Sequence, residues 1–205
     1  MYSPDRPSPS PPLSRASLVI GLYGAIALVG LLIAAGRGDA DIYGVSASTP
    51  WQLLGGPAIG VAAGLFVVWL SRMASRYFAW ARALHTAFRD LLGQLTEREI
   101  LIVALASSLG EEALFRGALM PWLGIWVQAG LFALLHVGRD KRLVPWTLWA
   151  FGMGVGFGAL ARWTGNLGAP IAAHFMINFL NLRFIVRTKA QRRSAEKLLP
   201  SSAAA

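Results

Sequence analysis

Glu111, Glu112 and Arg116 stand inside an apolar run, ILIVALASSLGEEALFRGALMPW, at residues 100–122. A charged side chain at the centre of a bilayer-spanning helix costs about 2.5–3.5 kcal/mol on insertion scales, so three uncompensated ones would cost on the order of 8–10 kcal/mol. Ionisable groups kept at that depth mark a buried polar site by default. Arg116 follows Glu112 at i+4, on one helix face, where it can hold that carboxylate ionised and leave Glu111 to react. Two further apolar runs carry groups able to complete a site. His136 closes FALLH, four residues after Phe132, and His174 and Asn178 lie one helical turn apart in HFMIN, with Asn181 continuing their face. A carboxylate and an imidazole can together deprotonate a water. A second histidine and an asparagine amide can donate hydrogen bonds to the oxyanion of a tetrahedral intermediate. This set suits acyl hydrolysis without a covalent nucleophile.

The same residues admit plainer assignments. Glu111, Glu112 and Arg116 could be an ion-pair network between helices, His136 a wetted helix end, and His174 with Asn178 interhelical hydrogen-bond glue. Glu, His and His can also form a zinc set, although HExxH is absent. The expected cofactor is therefore none, with a divalent metal as the unfavoured alternative. There is no cysteine, which removes a thiol nucleophile, a Cys-ligated metal and any disulfide. Every aspartate falls outside the apolar runs, so an aspartyl dyad is missing. Ser107 and Ser108 lack a nucleophile motif and read as small polar packing residues.

The elements that must position these groups are membrane spans. Hydrophobic residues make up 55% of the 205 and charged ones only 14%, against about 25% charged in soluble domains. Runs long enough, or nearly so, to cross ~30 Å of hydrocarbon cover 17–36, 51–71, 99–122, 124–138 (short), 144–163 and 167–186. The first run is too long for a signal-peptide core and no small-residue cleavage site follows it, so it reads as a retained span. Thr96 with Glu99 forms a capping box that opens the third, and Asn166 with Pro170 opens the sixth. Pro121 and Gly124 leave little room for a loop between the third and fourth. The expected fold class is all-α, a polytopic transmembrane bundle of about six spans plus an amphipathic interfacial helix. Its expected divisions are a disordered cytoplasmic tail at 1–13, two spans within 14–71, an interfacial segment at 72–98, a four-span core at 99–186 and a basic cytoplasmic tail at 187–205.

Charge sets the expected orientation. Six spans alternate sides, which groups the N-terminus, the segment 72–98, the loop holding Arg139, Lys141 and Arg142, and the C-terminus. Those segments hold 16 of the 19 Lys and Arg, while the opposite side has only Arg37 and Arg162. By the positive-inside rule both ends are cytoplasmic. The net charge of +9 is thereby explained as orientation and attraction to anionic lipid, and nucleic acid is not an expected partner. In 72–98, Tyr77, Trp80, Ala81, Leu84 and Phe88 fall near one face, as for a helix in the membrane interface or one covering the bundle, and His85 reads as solvated. Gly152, Gly154, Gly156 and Gly158 permit close helix approach, with a groove for extended substrate as the alternative.

Depth supports a shared pocket. Glu111 is about 18 Å from the cytoplasmic start of its helix, His174 a similar distance from the cytoplasmic end of its own, and Asn178 about 12 Å. His136, two residues before Gly138, is expected to be shallower.

EEALFR, FALLH and HFMIN resemble the EExxxR, FxxxH and HxxxN/D motifs of the CPBP intramembrane proteases, the Abi family of CAAX prenyl endopeptidases and bacteriocin-processing enzymes. The three occur in order on separate spans, covering 107–182. The resemblance implies a glutamate-type intramembrane endopeptidase in which Glu111 and His136 activate water, His174 and Asn178 form the oxyanion hole, and Glu112 and Arg116 support them. The expected partners are membrane lipids and a membrane-associated protein or peptide, cleaved in CAAX-like, bacteriocin-related or C-terminal sorting-tag processing. The expected location is a multi-pass position in a cell membrane, the inner membrane of a bacterium. The competing reading is a non-catalytic immunity or scaffold protein, or a small transporter, using the polar cluster structurally; a transporter would predict internal repeats, and the sequence has no such self-similarity.

Overall fold

A computed structural model of the chain describes residues 14–39, 41–46 and 48–198, with side chains as far as Arg187. The expected tail at 1–13 and residues 199–205 lie outside the described residues. Every regular element among the described residues is helical. In chain order they are α1 (Arg15–Gly36), α2 (Pro50–Tyr77), α3 (Ala79–Leu92), α4 (Glu97–Glu112), a π-helical turn (Ala113–Leu119), α5 (Met120–Leu134), a 3-10 turn (Lys141–Leu143), α6 (Val144–Thr164) and α7 (Gly168–Leu198). Thr96 and Glu99 form the expected capping box, and Asn166 Oδ1 accepts from Gly168 N at the start of α7. The last helix continues past the apolar run to Leu198, through most of the basic segment expected to be a tail.

Five helical runs among the described residues, rather than six, are long and apolar enough to cross a membrane. The expected third and fourth spans are joined into one run, Glu97–Leu134. That run doubles back on itself. Gly124 holds φ 76° and ψ 174° inside it, a conformation that only glycine adopts without strain. The rings of Phe115 and Phe132 then lie 5.0 Å apart, whereas seventeen residues of straight helix would separate them by about 25 Å. The fold is an all-α bundle of alternating passes, in which the fourth keeps only a short helix beyond Gly124.

Contacts along the helices fix their directions. α1 runs parallel to α4 and the π turn: Arg15 Nη1 donates to Gln94 O at 3.1 Å, Gly30 closes on the Leu114 backbone, and Arg37 donates to Ala118 O. α2 runs parallel to α7, with Gly56 beside Asn166, Gly60 on the Ala169 backbone, Gly64 on Ala173 and Arg72 Nη2 donating to Leu180 O at 2.9 Å. The tightest small-residue seam is therefore on α2. On α6, Gly154 and Gly158 pack against Ala129, Ile125 and Gln128 of α5, while a Cβ added at Gly152 or Gly156 would meet no atom within 4 Å. Gly60→Ala should lower stability by about 1–3 kcal/mol through overpacking, because its methyl would collide with the Ala169 carbonyl. Gly156→Ala, with open space, should change little. Equal melting temperatures for the two variants in detergent would refute the close α2–α7 crossing.

α3 packs onto the bundle with a face shifted from the expected one. Ala81 and Ala87 are buried, Phe88 meets Trp146 edge-on at 4.9 Å and His85 meets Phe184 at 5.6 Å. His85, expected to be solvated, is thus half-buried: burial, then Arg72 and Arg89, disfavour its charged form and move its pKa below the usual histidine value. Tyr77 and Trp80, expected on the apolar face of an interfacial helix, are 67% and 47% exposed and suit the amphipathic aromatic belt at a membrane surface. Leu54, Leu148 and Leu135 are 81%, 70% and 69% exposed on the bundle's outside. Such large, unscreened apolar surface belongs in lipid, and the protein is an integral membrane protein.

Candidate active site

The glutamates stand where α4 changes its winding. The π turn begins at Ala113, directly after Glu112, and such turns within α-helices recur at functional sites. Downstream, Pro121 has no N–H to give to the carbonyl one turn earlier. The guanidinium of Arg37 reaches over from the end of α1 to donate to the carbonyls of Gly117 and Ala118. The widened turn keeps Arg116 buried among aromatic rings, 4.5 Å from the Phe132 centroid and 5.1 Å from that of Phe157.

Glu112 is fully buried, and its Oε1 accepts from two donors: Arg116 Nη1 at 2.9 Å and His174 Nδ1 at 2.7 Å. Arg116 also donates from Nη2 to Gly154 O at 3.2 Å. An ionised carboxylate only accepts, so Nδ1 is the protonated nitrogen of His174. The ring is held by Phe157, stacked at 5.0 Å, and by the edge of Phe132 at 6.2 Å. Its Nε2 faces Glu111 Oε2 at 3.7 Å, and that oxygen makes no hydrogen bond within the protein. One turn along α7, Asn178 Nδ2 donates to Ser107 Oγ at 2.9 Å. Ser107, expected as packing, thus also fixes the Asn178 amide.

His136 joins this cluster less directly. Among the described residues, no hydrogen bond or ion pair links it to Glu111, Glu112 or His174. Its Nδ1 donates to Phe132 O at 2.7 Å, which in the neutral ring leaves the lone pair on Nε2. The ring packs 4.4 Å from Phe132 and 4.9 Å from Trp146, and Thr147 Oγ1 donates to its carbonyl at 2.9 Å. Phe132 thus touches both histidines. The expected shallow position needs correction: Glu111 and His136 each lie four residues below the Phe115–Phe132 pair on antiparallel arms of the same helical hairpin, which puts them at comparable depth.

Several site residues escaped the sequence reading. Tyr23, on α1, packs closely against Gly110, one residue before Glu111. Gln128 is fully buried and donates to Gly154 O at 2.9 Å, the carbonyl Arg116 also uses; as an amide in an apolar run it could have been singled out on the same ground as the glutamates. An apolar cavity of about 200 Å³ opens between α2, α6 and α7, lined by Phe66, Met153, Gly156 and Phe157 among others, and Phe157 separates it from His174. Among the described residues, no group of three His, Cys, Asp or Glu side chains is disposed to hold a metal ion.

This geometry falls within a segment with known relatives. Residues 96–180 match the family model described as type II CAAX prenyl endopeptidase Rce1-like. The segment resembles an Rce1-like domain. It runs from the cap of α4 to the end of the His174–Asn178 turn, and so contains Glu111, Glu112, Arg116, His136, His174 and Asn178. The matched family is one of proteases. The chain is also 37% identical over 81 residues to the uncharacterized protein YpbD of Bacillus subtilis, an overlap of 38% of this chain and 41% of that protein. The chain therefore spans well under half of that relative. No solved structure matches the chain.

Proposed function

We propose that the chain is an intramembrane endopeptidase that hydrolyses a peptide bond with a water activated by Glu111 and His136. The observation that carries this reading is the buried convergence of Glu111, Glu112, Arg116 and His174, with the two nearest reactive atoms, Glu111 Oε2 and His174 Nε2, 3.7 Å apart. A water beside Oε2 gives its proton to the carboxylate as its oxygen attacks the carbonyl carbon. The carbonyl oxygen becomes an oxyanion, which the Asn178 amide and His174 Nε2–H stabilise by donated hydrogen bonds. With Nδ1–H committed to Glu112, Nε2 donates only as the imidazolium, whose charge, with that of Arg116, the two flanking carboxylates would balance. The proton taken up by Glu111 then passes to the departing amine nitrogen as the C–N bond breaks. Glu112 and Arg116 hold His174 in register. The substrate is a membrane-associated protein or peptide, of the CAAX-like, bacteriocin-related or C-terminal sorting-tag kind.

The chain sits in a bacterial inner membrane with both termini cytoplasmic, a reading supported by the Lys and Arg asymmetry and by the parallel α1–α4 and α2–α7 pairs. His136→Ala should lower processing by about 10²–10⁴-fold, the usual range for losing an acid–base group, while the protein still inserts and keeps its helical circular dichroism. The check is a comparison of protein termini in membrane and secreted fractions from cells carrying either form. Unchanged processing with His136→Ala or Glu111→Ala would favour the immunity, scaffold or transport readings instead.

A further inference from the structure

Beyond the Gly124 break, α5 is a short helix, IWVQAGLFAL at 125–134, in which Gln128 is the one polar residue. With glycine at the break, the contacts of its own side chains must orient it. Apolar side chains cannot do so alone, because lipid tails are equally apolar and no hydrophobic drive tells a protein-facing side from a lipid-facing one. An amide can, since leaving it unpaired in hydrocarbon is costly. Gln128 is fully buried, and its Nε2 donates to Ile125 O and to Gly154 O, both at 2.9 Å. The second bond crosses to α6 and ends on the carbonyl that also receives Arg116 Nη2 at 3.2 Å. Glycine lets α6 come this near: a Cβ at Gly158 would stand 3.2 Å from Gln128 Nε2, and one at Gly154 2.8 Å from Ala129 Cβ. Phe132 lies one helical turn beyond Gln128 on the same face, with the Arg116 guanidinium 4.5 Å from its ring centre. His136, four residues further, continues that line, its N–H donating to Ala133 O at 2.9 Å.

The geometry points to Gln128 as a positioning residue for His136: by tying α5 to the Gly154 carbonyl it fixes the rotation of the short helix about its axis, and so sets where His136 stands relative to Glu111 and His174. This rests on His136 sharing the activation of water in the proposed hydrolysis. Gln128 itself touches no reacting atom and acts through the helix it anchors. The other tie, Thr147 Oγ1 donating to the His136 carbonyl, holds the far end. Two points fix an axial rotation that one would leave loose.

The chain has three histidines, His85, His136 and His174. Full-length protein in nanodiscs, carrying isotope-labelled histidine, therefore gives one ring signal for each, and that of His136 is the one lost in His136→Ala. The rings of Phe132 and Trp146 stand 4.4 and 4.9 Å from it, so its C–H shift reports its placement through their ring currents. In Gln128→Met, similar in size but without the amide, that signal should move, while the His85 signal, set by Phe184, stays. Val127→Ala, on the exposed side of the same turn, should move none. With a peptide that wild-type protein processes, Gln128→Met should lose about 10²-fold in kcat, the cost of displacing a reacting group by ~1 Å, with KM unchanged. Gln128→Asn, which keeps an amide but withdraws it by one methylene, should shift the signal in the same sense, and carries the test if the methionine variant does not fold. A His136 signal at its wild-type position in either folded variant overturns the inference, whatever the protease assay gives. A moved signal with wild-type kcat, where His136→Ala is inactive, also overturns it and makes Gln128 interhelical glue. Normal processing by His136→Ala would instead sink the hydrolysis reading, with the shift still separating a tied helix from a loose one.

Discussion

Glu111→Gln should reduce peptide cleavage by about 10²–10⁴-fold, the range associated with loss of a general base, with no loss of fold. The substitution is close to isosteric. The packing of α1 on Gly110 is untouched, and the buried Arg116–Glu112 pair is kept. What is lost is the basic oxygen that faces His174 Nε2 at 3.7 Å. Initial rates at saturating substrate, on protein with a wild-type melting temperature, give the answer. A variant retaining more than about a tenth of the wild-type rate would assign the base elsewhere.

The second large effect falls on stability. Arg116→Met should destabilise the protein by about 3–5 kcal/mol, the loss expected when one partner of a buried ion pair is removed. Arg116 and Glu112 are both fully buried and 2.9 Å apart, and the guanidinium also satisfies the Gly154 carbonyl. Without it Glu112 keeps only His174 as a donor. Replacing both partners, Glu112→Gln with Arg116→Met, should cost less than the sum of the single changes, because no lone charge is left in a low-dielectric core. Equilibrium unfolding in mixed micelles measures the cycle. Strictly additive single effects would show that the two side chains are not energetically coupled.

The polar cluster was legible because lipid makes charge conspicuous. Glu111, Glu112 and Arg116 stood out against their apolar run, and the i+4 spacings of Glu112–Arg116 and His174–Asn178 already placed each pair on one face. The capping box at Thr96 was equally local, and it lies where expected. What escaped was set by contacts between distant segments. Nothing local to the third span announces that Gly110 is the notch that receives Tyr23 of α1. The glycines of α6 drew attention by their even spacing, but the chain uses those of α2 for its closest crossing. His85 looked solvated because its partner, Phe184, is 99 residues away in sequence. The reversal at Gly124 was half visible: Pro121 and Gly124 signalled a break, while the absence of a loop hid its sharpness.

That reversal leaves α5 with the ten residues 125–134 beyond the break, a rise of about 15 Å, half of a hydrocarbon layer about 30 Å thick. The non-helical stretch around His136 therefore sits where acyl chains would otherwise be, and exposed peptide groups at that depth persist only beside protein or water. Here protein meets them: the His136 carbonyl accepts from Thr147 Oγ1 and its N–H donates to Ala133 O, while below the stub no helix of this run fills the other half of the layer. For the proposed hydrolysis, that unfilled half would be the way in for water from one face, without a through-membrane pore.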